Sequence, residues 1–261
     1  MALTLQRNII LALLIAIAAA AWSLLAWQQI GPDAAMPMGI SLTMGMKAPL
    51  FLAVWMIMMI AMMFPTAAPM ILTFHQVQAG KQGRGETFVA TWVFVAGYML
   101  VWGAMGILAF AGAAGAEMLA GHVGLSAATA ARIGGVLLMI GGAYQLSPLK
   151  DLCLGKCRTP IGFILTSWRD GQWGAVRMGL EHGLFCLGCC WLLFLALFPL
   201  GIMNIAAMAV VTLLIFAEKT LRSGERIAKV SGVALLLYGA TVLVAPQALP
   251  TFRPMDAMMM N

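Results

Sequence analysis

Residues 55–75 read WMIMMIAMMFPTAAPMILTFH, an apolar stretch that contains six methionines and two prolines. A helix needs about 20 consecutive apolar residues to cross the hydrocarbon core of a bilayer. Because proline removes a backbone donor, Pro65 and Pro69 leave carbonyl groups that protein or a cavity must satisfy when the helix lies in lipid. The stretch therefore predicts a membrane-spanning helix whose prolines face neighbouring helices.

The composition extends this prediction to the whole chain. Of its 261 residues, 62% are hydrophobic and 9% are charged, whereas soluble domains have roughly 25% charged residues. We predict an all-α, polytopic bundle of transmembrane helices that forms a single integral membrane domain over residues 1–261. About seven spans are expected: 9–27, 48–77, 88–113, 129–147, 179–197, 201–217 and 230–246. An alternative is that the fifth and sixth of these form a re-entrant hairpin.

The basic residues predict how the chain is oriented. Twelve of the 15 Lys and Arg residues fall on one side of the seven-span scheme, and loops rich in basic residues stay in the cytoplasm. We therefore expect a multi-pass protein of the bacterial inner membrane with a cytoplasmic N-terminus, an outer methionine-rich loop at 28–47 and a basic cytoplasmic loop at 148–178. Cleavage of the first apolar segment as a signal peptide stays open. Contact with anionic lipid headgroups explains the net charge of +6, so no nucleic-acid partner is expected.

Methionines are concentrated in one part of the chain, since ten of the 22 lie between Met36 and Met70. With about 100° between successive helical residues, Met56, Met59 and Met63 share one face of their helix. Adaptable apolar filling explains such residues in a span, but thioether sulfur is also a soft ligand suited to Cu(I). The outer loop has no core to fill, which favours the metal hypothesis for its four methionines: Met36, Met38, Met44 and Met46.

Residues 181–191, EHGLFCLGCCW, hold a second set of candidate ligands. On one helix, His182, Cys186 and Cys189 form a stripe, and Cys190 stands beside it. Histidine and cysteine donors on one face can hold a soft or borderline metal ion. The alternative is that the cysteines act only as small, buried hydrophobic residues.

The basic loop holds the remaining two cysteines in the stretch CLGKCRTP, residues 153–160. Cys153 and Cys157 are four residues apart and share a face on a helical turn. Lys150, Lys156 and Arg158 are expected to favour their thiolates, and a reducing cytoplasm disfavours a stable disulfide. Metal or redox exchange is therefore expected for this pair, with incidental cysteines in a solvated loop as the alternative.

Three groups of residues carry a family resemblance: Trp55, Met58, Met59, Ala61, Met62, Met63, Pro65 and Pro69; Cys153, Cys157, Arg158 and Pro160; and Cys186, Gly188, Cys189, Cys190, Trp191, Gly201 and Met203. With these motifs the chain resembles a bacterial family of predicted metal-binding integral membrane proteins, catalogued as a domain of unknown function. The resemblance covers roughly residues 50–240. It implies metal binding and leaves the metal and the reaction open.

Thioether and thiolate donors together favour Cu(I) over zinc or iron. We therefore predict a membrane protein that binds, transfers or delivers Cu(I), or otherwise an unknown metal, with a metallochaperone or metalloprotein client as its partner. The sequence shows no nucleotide-binding loop, so active pumping is not expected, and metal binding is preferred to enzymatic turnover. Two rival hypotheses remain: a membrane thiol-disulfide oxidoreductase, and a non-catalytic assembly partner of a membrane complex.

Overall fold

The structure is a computed structural model that describes residues 2–30, 42–43 and 45–252. Within these ranges the regular secondary structure consists of nine α-helices and a short 3-10 helix, Pro246–Ala248. The predicted all-α class is therefore confirmed. The α-helices are α1 (Ala2–Ile30), α2 (Ala48–Gly83), α3 (Thr91–Val123), α4 (Ala127–Gln145), α5 (Pro148–Arg158), α6 (Pro160–Ser167), α7 (Gly171–Leu200), α8 (Ile205–Thr220) and α9 (Gly224–Val244).

Six of these helices are long and apolar enough to cross a membrane: α1, α2, α3, α4, α7 and α9. The remaining expected span corresponds to α8, which has 16 residues. At 1.5 Å per residue such a helix is about 24 Å long, shorter than the roughly 30 Å hydrocarbon core. The polytopic bundle of about seven spans agrees with the structure, and α8 accounts for the difference in count.

The chain between α4 and α7 contains two short helices in the stretch that the sequence presents as a basic loop. α5 begins at Pro148 and α6 begins at Pro160. Proline suits the first helical position because its fixed φ matches the helix and its missing N–H is not needed there. In this segment each proline therefore marks the start of a helix.

The helices group into two compact units. The first contains α1 with residues Pro49–Leu108 and Leu152–Cys189. The second contains Ala109–Asp151 and the described residues of Ala35–Ala48 and Cys190–Asn261. Divisions fall within α3, α5 and α7, and Ala48 at the start of α2 also belongs to the second unit, so these four helices contribute residues to both units.

In the first unit, α2 continues as a helix through both of its internal prolines. The missing N–H of Pro65 leaves the carbonyl of Ala61 without its usual helical donor, and Trp22 of α1 donates its indole N–H to that oxygen at 3.0 Å. Trp55 of α2 likewise donates to the backbone oxygen of Trp102 on α3 at 3.0 Å. These bonds satisfy polar groups inside the protein, as a membrane interior requires, and they hold α2 against α1 and α3.

In the second unit, α4 and α9 approach so closely that a Cβ added to Gly142 would lie 2.6 Å from the carbonyl oxygen of Gly232. A buried ion pair lies in the same unit, with 2.6 Å between Lys150 Nζ and Glu218 Oε2. The Gln145 side chain donates to Glu218 Oε1 at 2.8 Å and accepts from Lys150 Nζ. Because buried charges are tolerated when they are paired and hydrogen-bonded, this network ties the start of α5 to α4 and α8.

Candidate metal centre

The centre of the candidate site is a group of three thiols on α7. The sulfur atoms of Cys186, Cys189 and Cys190 all lie within 4.8 Å of one another. These residues are 0%, 2% and 1% exposed. The helix itself sets the geometry, because residues three and four positions apart share a face. Buried soft donors at this separation form a candidate site for a soft metal ion.

His182 lies one turn before Cys186 on α7 and is buried. Among the described residues, the group whose ligand atoms lie within 4.8 Å of one another comprises the three cysteines and does not include this histidine. Its ring stacks on Phe94 and Tyr98, at centroid distances of 6.0 and 5.5 Å, and Phe163 meets it edge-on at 5.6 Å. The structure thus places the predicted histidine in an aromatic enclosure, one helical turn from the thiols.

Tyr98 of α3 belongs to the site, although the cysteine and methionine motifs do not reveal it. Its hydroxyl oxygen lies 3.1 Å from Cys186 Sγ, and the residue is fully buried. A close helix crossing brings it there, since a Cβ added to Gly179 of α7 would lie 2.1 Å from the carbonyl oxygen of Phe94 on α3. The feature that points to Tyr98 in the sequence is a polar hydroxyl in the middle of an apolar stretch.

Helix α5 brings the other two cysteines against α7. Cys157 Sγ lies 4.0 Å from Cys189 Sγ. A Cβ added to Gly188 would lie 2.7 Å from Cys153 Sγ, so the absent side chain of this glycine makes room for the thiol. The two cysteines of the basic segment therefore pack on a spanning helix and do not project from an open loop.

The electrostatic setting of Cys153 differs from the expected one. Burial, and to a smaller extent the neighbouring Cys189, raises the pKa of the Cys153 thiol. The expected lowering by basic neighbours is wrong for this thiol, because desolvation disfavours the thiolate and Lys150 is paired with Glu218. A thiolate at this position is therefore favoured when a bound cation compensates its charge.

The α2 methionines are located within the first unit. Met59 and Met63 are each fully buried. Met56 is half-buried, and its sulfur lies 3.8 Å from the position of a Cβ added to Gly103 of α3. Of the methionines in the predicted outer loop, Met46 is half-buried, and three lie outside the described residues: Met36, Met38 and Met44.

Two contacts join α2, which carries the site methionines, to α3, which carries Tyr98. Trp55 of α2 bonds to Trp102 of α3, and Phe74 of α2 stacks on Phe94 of α3 at a centroid distance of 4.8 Å. The order of these contacts along the chain indicates that the two helices are antiparallel. The three site methionines of α2 lie between these contacts along their helix, and Tyr98 lies between them along α3.

All five cysteines are described, and all five are thiols that form no disulfide. Comparison with curated proteins and with solved structures gives no match. A family model, PpoB2, described as a copper chaperone, matches residues 52–242. The match includes every cysteine and the α2 methionines, and it confirms the resemblance to a metal-binding membrane family. The chain belongs to the PpoB2 copper chaperone family.

Proposed function

We propose that this protein handles Cu(I) in the membrane, binding the ion with the α7 thiols and exchanging it with the thiols of α5. The observation that carries the proposal is the 4.0 Å separation between Cys157 Sγ and Cys189 Sγ, which joins the α5 pair to the three α7 thiols. Thiolates are soft donors that select Cu(I). Membership of a copper chaperone family supports the same metal.

Metal binding by these thiols suits an apolar interior. An unpaired thiolate is costly to bury, whereas a bound Cu(I) ion supplies the compensating positive charge as the thiols release their protons. The thioethers of Met56, Met59 and Met63 bind Cu(I) without releasing a proton. They are therefore suited to pass the ion along α2, where a charged ligand is expensive.

The proposed relay runs between two sides of the bacterial inner membrane, with the N-terminus in the cytoplasm. Methionines of the outer loop would collect Cu(I), the α2 thioethers and the α7 thiols would hold it within the membrane, and the α5 thiols would exchange it at the basic, cytoplasmic side. His182, one turn from Cys186, is a further donor on this route. A metallochaperone or metalloprotein client would receive or supply the ion, and that partner sets the direction of transfer.

The proposal predicts that Cys186→Ser/Cys189→Ser lowers the copper content of the protein. We expect the variant to lose about one copper ion per chain, because two of the three α7 thiolates are gone. Elemental mass spectrometry of anaerobically purified, Cu(I)-loaded protein measures this loss. Met118→Leu, at a methionine that is 64% exposed on α3, serves as a control and should keep the wild-type content. Unchanged copper in the double variant would contradict the proposed site.

The short distance between the sulfur atoms of Cys157 and Cys189 also favours a second candidate function, thiol-disulfide exchange in the membrane. A client disulfide would oxidise these two thiols to a disulfide and would itself be reduced to two thiols. Such exchange requires access to the attacking thiol, and the two residues are only 9% and 2% exposed. Wild-type protein that binds no copper but whose thiols oxidise reversibly would favour this candidate. Full activity of a host complex with all five cysteines changed to serine would favour an assembly partner instead.

A further inference from the structure

The five cysteines lie on or beside the part of α7 that carries Cys189. Its sulfur belongs to the α7 group whose members lie within 4.8 Å of one another, and it also lies 4.0 Å from Cys157 Sγ. The thiol of Cys153 packs over Gly188, the residue that precedes Cys189. The chain has five cysteines in all, so every thiol lies on α7 or packs against it.

The distances provide one group of three donors, Cys186, Cys189 and Cys190, and one further pair, Cys157 and Cys189. A metal–thiolate bond is about 2.3 Å long, so two thiolates on one ion lie at most about 4.6 Å apart. The 4.0 Å between Cys157 Sγ and Cys189 Sγ already satisfies this limit. The α7 group, with its separations of up to 4.8 Å, needs only a small rotamer adjustment. One Cu(I) ion does not use five thiolates, and Cys189 lies in both sets.

We propose that the protein holds two Cu(I) ions at once, in a dinuclear thiolate cluster bridged by the sulfur of Cys189. One ion takes Cys186 and Cys190 as its other ligands, and the second takes Cys153 and Cys157. As the ions bind, copper–sulfur bonds replace the S–H bonds and the protons leave to solvent, with no change in the oxidation state of copper. This inference rests on the proposed function and adds the number of ions and the bridging ligand.

The balance of charge favours a shared sulfur. A bridging thiolate serves both cations, so the cluster holds its two ions with one anionic sulfur fewer than two separate three-ligand sites. Fewer buried anions mean a smaller desolvation cost. Lys156 and Arg158 lie in the last turn of α5, and Arg158 is half-buried, so the helix that supplies two of the thiolates also supplies positive charge.

The first test uses the wild-type full chain in detergent, titrated with Cu(I) under anaerobic conditions. We expect about two copper ions per chain by elemental mass spectrometry, and a copper–copper scattering shell in X-ray absorption at the copper edge. About one ion per chain would overturn the two-ion cluster and leave the proposed function standing. No bound copper would overturn both, and two ions without a copper–copper shell would overturn the bridge.

Two neighbouring substitutions test the identity of the bridge. Cys189→Ser and Cys190→Ser make the same chemical change at residues that are 2% and 1% exposed. We expect Cys189→Ser to abolish the copper–copper shell and to lose on the order of half the copper, whereas Cys190→Ser keeps the shell because it removes only a terminal ligand. Equal behaviour of the two variants would contradict a bridge at Cys189. Circular dichroism checks that both variants retain their helices. If either does not, the copper content and copper–copper shell of the wild type decide whether the two-ion cluster exists.

Discussion

At the scale of single residues, the decisive contacts come from side chains outside the cysteine and methionine motifs. The indole of Trp22 satisfies the carbonyl of Ala61 that Pro65 releases, so α2 passes through this proline without a buried, unpaired oxygen. The hydroxyl of Tyr98 reaches Cys186 Sγ. Tryptophan and tyrosine suit such positions because each combines a large apolar body with one polar tip.

Tyr98→Phe removes the hydroxyl that contacts Cys186. Because neighbours of metal ligands orient and tune those ligands, we expect the affinity for Cu(I) to fall by about 10-fold while the copper content at saturation stays at the wild-type value. Competition with a chromophoric Cu(I) chelator measures the affinity. The loss of a hydrogen bond to sulfur should also move the sulfur-to-copper charge-transfer absorption to lower energy.

Tyr238→Phe is the matched control for this substitution. It also loses one hydroxyl hydrogen bond, from Tyr238 to the carbonyl oxygen of Ala248 at 3.0 Å, but its acceptor is a backbone group in the second unit. We expect it to keep the wild-type affinity and absorption spectrum. If Tyr98→Phe behaved in the same way, the hydroxyl would have no role in copper binding.

At the scale of helices, glycine determines which elements meet at the site. The backbones of α3 and α7 touch at Gly179, and this contact brings Tyr98 to the thiols. Gly188 leaves the space on α7 that Cys153 of α5 fills. Small residues allow close approach between helices in membranes, where packing replaces the hydrophobic effect as the main attraction. The proposed metal site therefore depends on these crossings as much as on the donor atoms.

Gly179→Ala should separate α3 from α7, because its Cβ would lie 2.1 Å from a backbone oxygen that cannot swing away. We expect the free energy of unfolding to fall by about 1–3 kcal/mol, the usual cost of overpacking. Thermal unfolding in detergent, followed by circular dichroism, measures the change. Gly112→Ala on α3 is the control, since its Cβ would meet nothing within 4 Å. Equal unfolding midpoints in the two variants would refute a tight crossing at Gly179.

At the scale of the whole molecule, the proposed route for copper joins the helices that the family model matches to a loop that precedes them in the chain. The family match over residues 52–242 includes α2, α5 and α7 with their sulfur donors. The outer-loop methionines precede the matched range, so their role rests on composition and on the proposed orientation. The loop is thus expected to collect the ion for a site that is complete without it.

Replacement of all four outer-loop methionines by leucine tests that division of roles: Met36, Met38, Met44 and Met46. We expect Cu(I) loading to slow by about 10-fold while the final copper content is unchanged, because thioethers are weak, exchangeable soft ligands and thiolates hold the ion. Stopped-flow absorption of the copper–thiolate band follows the loading rate, with Met118→Leu as the control. An unchanged rate would remove the loop from the route.

Features that act within one helix were predictable from the sequence. Apolar length alone indicated the membrane spans, and helical periodicity alone placed Cys186, Cys189 and Cys190 close together, because both depend on residues that are near neighbours in the chain. Helix ends were less predictable. The segment at 148–178 combines basic residues with two prolines and still forms α5 and α6, since proline at a first helical position is compatible with the helix.

Contacts between helices were decided by the tertiary structure. Cys157 and Cys189 are 32 residues apart in the chain, and Tyr98 and Cys186 are 88 residues apart, so no periodicity relates them. Their meeting depends on where glycines let backbones approach and on which buried polar groups need partners. The sequence by itself therefore determined an all-α membrane protein rich in soft ligands. Packing decided which of those ligands lie together, because contacts between helices form only in the folded chain.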